Sequence, residues 1–181
     1  MIKRVLIVWL ILVAPAAAQS QTSATNPSGL AEMKKLDFLV GSWQGEGWMQ
    51  FGPTDRRRAS VIESVQPKVG GRVFVIEGLG KAKIPGKDEE MVVHNAFAVL
   101  YYDESAKRYS MRAFLANGQS VDAETNLNEG IFEWGFQLPQ GKMRYKIRLN
   151  ENGQWFEEGA ISVDGGKTFN KFFEMTLTRT K

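Results

Sequence analysis

The 181-residue chain has no cysteine and only one histidine, and each absence excludes a class of chemistry. Without cysteine there are no disulfides, no thiolate nucleophile and no sulfur-ligated metal. The single histidine, His94, leaves only carboxylates for metal binding, and none has the compact spacing of a calcium loop. There is no Gly-x-Ser-x-Gly elbow, no phosphate-binding glycine loop and no dinucleotide fingerprint. A hydrolase triad would have to use His94, and no strong serine candidate accompanies it. No catalytic residue, metal or cofactor is therefore predicted. The formal net charge is only +3, and Lys3 and Arg4 supply two of those charges, so nothing points to nucleic acid.

What is present begins with an export pattern at residues 1–18. Lys3 and Arg4 form a positive end, residues 5–13 are apolar, and Ala16-Ala17-Ala18 gives a small-x-small cleavage site. The apolar run falls short of the roughly 20 residues needed to span a bilayer. Cleavage would start the mature chain at Gln19, without a membrane span, in the periplasm or outside the cell. Residues 19–29 are rich in Gln, Ser, Thr, Asn and Pro and read as a flexible lead.

The remainder, 30–181, reads as one nearly all-β domain. Leu30, Met33, Leu36 and Leu39 predict one helix over 30–39. Period-two alternation then predicts ten strands near 42–51, 57–65, 71–80, 91–102, 107–115, 119–127, 131–138, 142–149, 154–163 and 168–178. Turn pairs such as Gly70-Gly71, Asn117-Gly118 and Asn152-Gly153 separate them, while a longer charged link covers 84–90. A meander of that length must curl, and closure removes its exposed edges. The predicted fold is a single up-and-down antiparallel β-barrel with a short N-terminal helix closing one end.

Alternation also assigns faces. Met143, Tyr145, Ile147 and Leu149 share one side of their strand, and Lys142, Arg144, Lys146 and Arg148 the other. Phe132, Trp134, Phe136 and Leu138 form an aromatic inner face, as do Phe169, Phe173, Met175 and Leu177. A polar exterior around an oily interior is the reverse of an outer-membrane barrel, so a soluble barrel is expected.

Gly41-Ser42-Trp43-Gln44-Gly45-Glu46-Gly47, following the helix end, resembles the opening of calycin-superfamily barrels, especially nitrobindin-like proteins. With Tyr102-Asp103, Lys107-Arg108-Tyr109 and Phe172-Phe173-Glu174-Met175-Thr176, the chain from about residue 30 onward looks like an exported lipocalin-like bacterial domain-of-unknown-function family. The resemblance implies that Trp43 packs structurally at the closed end, against the helix. Nitrobindin-like proteins hold haem through a histidine late in the chain. No histidine follows His94 here, so haem is not predicted. Residues 162–169 resemble the Asp-box, a structural hairpin motif in which Asp164 accepts backbone hydrogens and an aromatic anchors the turn.

The leading expectation is a binding barrel for a small apolar or amphipathic molecule, with Glu77, His94, Arg112, Phe132, Trp134, Tyr145 and Phe173 as candidate ligand-binding residues. Glu77 falls in line with Val73, Val75 and Leu79, Glu157 with Trp155 and Ile161, and Lys171 and Arg179 with Phe173. Such polar groups either enter the barrel, where a glutamate would need a Lys or Arg partner, or sit at strand ends in water. His94 lies between two apolar faces, so its direction stays open. The alternatives are an isomerase, cyclase or lyase in the same cavity, or an interaction module using loop 84–90. Oligomeric state is not legible. The N-terminal pattern makes one prediction: intact-mass analysis of the exported protein gives a chain starting at Gln19, and retention of residues 1–18 refutes cleavage.

Overall fold

The computed structural model describes residues 27–180. The predicted signal segment, its cleavage point and residues 19–26 lie outside the described residues.

Ten strands follow one another in sequence. They are β1 (Gly41–Gln50), β2 (Arg56–Lys68), β3 (Val73–Lys83), β4 (Glu90–Asp103), β5 (Arg108–Leu115), β6 (Ser120–Asn128), β7 (Ile131–Leu138), β8 (Gly141–Leu149), β9 (Trp155–Ser162) and β10 (Asn170–Arg179). Each pairs antiparallel with the next, and β1 pairs with β10, so the sheet is a closed meander barrel. The predicted turns do their work: Gly118 and Gly153 have φ of 85° and 69°, the left-handed region that tight reversals need.

The helix differs from expectation. It begins earlier, as α1 (Pro27–Lys34), and stops before Leu36; a separate 3-10 turn covers Asp37–Leu39. Bonds from Lys35 N–H to Glu32 O and Leu36 N–H to Met33 O tighten the end of α1. Met33, Leu36 and Leu39 nevertheless point the same way and are fully buried across one end of the barrel.

Trp43 completes that plug. It is inaccessible to solvent, and its indole N–H donates to Leu39 O at 2.8 Å. Its ring meets Trp155 edge-on at 5.7 Å, and the Arg179 guanidinium lies 4.2 Å from its centroid. Arg179 also donates to Val40 O and Phe38 O, tying β10 to the chain segment before β1. The structural role expected for Trp43 is the observed one.

Three facing assignments are corrected. In β3 the inward side chains are Phe74 and Ile76, with Gly78 and Gly80, not Val73, Val75, Glu77 and Leu79. The outward side mixes Val73, Val75 and Leu79 with Glu77, and two of the inward positions are glycine, so alternation over 73–80 offers little contrast. In β10 the register shifts between Lys171 and Phe173. Phe173, Met175 and Leu177 therefore point inward, while Lys171 pairs outside with Glu174 at 2.7 Å and Glu158 at 3.5 Å. Phe169 lies outside too, under the Arg144 guanidinium at 3.7 Å, rather than anchoring the Asp164 turn in the core. The turn itself is as expected: Asp164 accepts the backbone N–H groups of Lys167 and Thr168.

The outer face carries the charges. Lys142 on β8 reaches over β7 to Glu124 on β6 at 2.6 Å, and Lys146 meets Glu133 on the neighbouring β7 at 3.2 Å. A stripe of such pairs suits water rather than lipid. The packing of Trp43 predicts that Trp43→Ala lowers stability by about 3–5 kcal/mol, read by urea unfolding; a loss below 1 kcal/mol would mean that the plug is not what holds this end together.

Candidate functional site

The barrel is not filled by its own side chains. A cavity of about 390 Å³ extends from Leu39, Trp155 and Phe132 at the closed end to Phe51, Val93 and Leu115 at the other. Small residues make the room: Ala59, Gly78, Gly80, Ala96 and Ala113 all line it. One wall is aromatic. Trp134 stacks on Tyr145 with centroids 4.1 Å apart and ring planes 10° apart, and Phe173 meets Tyr145 at 5.9 Å. Gly159 allows this cluster, because a Cβ there would lie 2.7 Å from the Tyr145 ring.

Two glutamates face this apolar space. Glu157, on β9, is 5% exposed; its carboxylate accepts the indole N–H of Trp134 at 3.3 Å and that of Trp155 at 3.1 Å. Glu63, on β2, is 8% exposed and has no hydrogen-bond or ion-pair partner among the described residues. Burial pushes the Glu157 pKa up to about 7, even though the two indoles pull it down. Burial, with the Glu157 charge adding to it, raises that of Glu63 well above the ordinary carboxylate range. The pair can therefore hold a proton at neutral pH, as carboxyls facing a shared apolar site do. The Tyr145 hydroxyl is pushed up by burial and by Glu157, and stays protonated.

The predicted site residues divide in two. Phe132, Trp134, Tyr145, Phe173 and His94 all line the cavity. His94 is brought there by a bulge. Gly80 pairs with His94 and Lys81 with Val92, so Val93 is the extra residue and both Val93 and His94 reach the cavity wall. The imidazole touches solvent at the mouth, yet the apolar wall lowers its pKa. Glu77 and Arg112 are on the outside. Glu77 is exposed, and Arg112 lies 3.6 Å from Asp122 and over the Phe114 ring at 5.6 Å.

Sequence reasoning missed Glu63. Val61, Glu63 and Val65 do alternate on one face, but Ile62 on the opposite face hid the contrast. The expectation that an inward glutamate needs a Lys or Arg is also corrected, because indole N–H groups serve Glu157 instead.

No protein-family model and no curated protein sequence matches this chain. Solved structures with the same closed barrel do exist. One is Rv2717c from M. tuberculosis, with a TM-score of 0.57 at 12% identity over 82% of this chain and 97% of the other. Another is the S-type phycobiliprotein lyase CPES from Guillardia theta, with a TM-score of 0.55 at 13% identity over 84% and 93%. At such identities the likeness establishes the fold alone, a closed antiparallel barrel.

The raised carboxyls make a pH prediction. Both bind protons more tightly in the folded chain than in the unfolded one, so their contribution is full at low pH and is lost as pH rises; for Glu157 the loss begins above about pH 4.5 and is complete as pH passes through about 7. For Glu157 that loss is on the order of 3 kcal/mol. Denaturant unfolding at pH 5 and pH 8 should show the decline in the wild type and a flatter profile in the double variant Glu63→Gln/Glu157→Gln; parallel profiles would show that neither group has a raised pKa.

Proposed function

We propose that this chain is an exported barrel that holds one small apolar or amphipathic molecule in its cavity. The observation that carries the reading is the unfilled cavity itself. Its volume of about 390 Å³ falls in the range of roughly 300–1,000 Å³ typical of small-molecule sites. Its walls are aromatic and aliphatic, with few polar groups to fix orientation, which is the usual composition of such a site. Export rests on the N-terminal pattern of residues 1–18.

A second reading places a reaction in the same cavity, and the glutamate pair favours it. A carboxyl with a pKa near 7 can give and take a proton at neutral pH. A structural neighbour bearing the name of a lyase supplies a precedent for this barrel shape. In this reading Glu157 and Glu63 are the acid–base groups on a bound ligand, with Tyr145 beside them; His94 is at the mouth.

Native mass spectrometry of the protein exported from its own host tests the binding reading. The wild type is expected to carry an adduct of defined mass. Ala113→Trp, which puts an indole into the cavity, is expected to lose the adduct while keeping its circular dichroism spectrum. A bare wild-type mass, or an adduct indifferent to the blocked cavity, would contradict it.

A further inference from the structure

We propose that the ligand of this cavity is an amphipathic amine, whose ammonium group sits against Glu63 and Glu157 and whose apolar body runs along the aromatic wall towards the mouth. The inference deepens the binding reading and rests on it.

The first support is Glu63. It is more than nine-tenths buried, lines the cavity, and lacks any hydrogen-bond or ion-pair partner among the described residues. Its carboxyl oxygens open onto the cavity, and in so apolar a setting an arriving cation offsets the cost of ionising them. The second support is space set aside for it. Glu63 pairs in register with Gly78, where a Cβ would lie 2.7 Å from the Glu63 Oε1. A side chain at 78 would make the carboxyl move from its present place.

The third support is Glu157. Its two oxygens each take one indole N–H, which leaves lone pairs for a further donor. Neither glutamate has a cation of its own. The arginines among the lining residues engage carboxylates elsewhere: Arg57 meets Asp55 at 2.6 Å, and Arg58 meets Glu46 at 3.8 Å. The ring surfaces of Trp134, Tyr145 and Phe173 also favour a positive group over a negative one. A fatty acid would set its carboxylate against this pair. An alcohol would gain a hydrogen bond but no charge partner.

Proton balance provides an independent readout. The groups facing the ammonium are Glu63, Glu157 and the protonated Tyr145, with His94, Arg57 and Arg58 also lining the cavity. When an ammonium binds, the carboxyls ionise and a proton passes to the solvent; a neutral alcohol leaves that proton in place.

The test is calorimetry of the purified protein near pH 7 with decylamine, 1-decanol and decanoate, in buffers of different ionisation enthalpy. Decylamine is expected to bind about tenfold or more tightly than 1-decanol, with proton release, and decanoate to bind weakest. The double variant Glu63→Gln/Glu157→Gln is expected to lose the preference for decylamine and keep its affinity for 1-decanol. If 1-decanol or decanoate binds as tightly as decylamine, the amine inference falls and the apolar-cavity reading stands. If none of the three binds, the binding reading falls with it. Should the variant fail to fold, proton release by the wild type still decides: its absence overturns the proposal.

Discussion

Closure of the sheet is the constraint on which everything else depends. Ten antiparallel strands joined in sequence return β10 to β1, so no edge remains unpaired. A barrel of about eight strands is just wide enough for side chains to fill its interior. Ten strands make a wider ring, and here glycine and alanine on β2, β3, β4 and β5 leave the middle of it open. The closed end is filled by Met33, Leu36, Leu39 and Trp43, and Arg179 fastens that end across the β1–β10 seam. Cavity and plug thus have one origin: the helix and Trp43 fill one end, while no comparable element fills the other among the described residues.

Within that space the two glutamates are the costly feature. A buried carboxyl in an apolar barrel is tolerated only by remaining protonated or by finding donors. Glu157 finds two indoles, and Glu63 keeps a cleared volume opposite Gly78. Glutamine or leucine at position 63 would leave no carboxyl there to ionise in the cavity. Retaining acids there makes chemical sense when something in the cavity uses them, as a counter-charge or as a proton store.

Much of the fold was legible in the sequence. Alternation located all ten strands, because most have one charged and one apolar face; β8, with Lys142, Arg144, Lys146 and Arg148 opposite Tyr145 and Ile147, is the plainest case. Where both faces are apolar, the signal disappears. In β3 the inward glycines and outward valines blur it, and on β4 the strand around His94 is apolar on both sides. The β4 and β10 bulges reverse the facing of what lies beyond them, and nothing in the local composition marks them. The aromatic wall could be read from Phe132, Trp134 and Tyr145. The carboxyl pair could not, since Glu63 and Glu157 stand 94 positions apart and meet only through closure of the barrel.

The central claim is that these two carboxyls face one apolar cavity and hold a proton there at neutral pH. A carbon-13 NMR titration of glutamate side-chain carboxyls, assigned through Glu63→Gln and Glu157→Gln, reads it directly. The account predicts a Glu157 midpoint near 7 and a Glu63 midpoint well above the ordinary glutamate value of 4.5, the latter lowered when Glu157 is replaced. Two independent midpoints near 4.5 would contradict it.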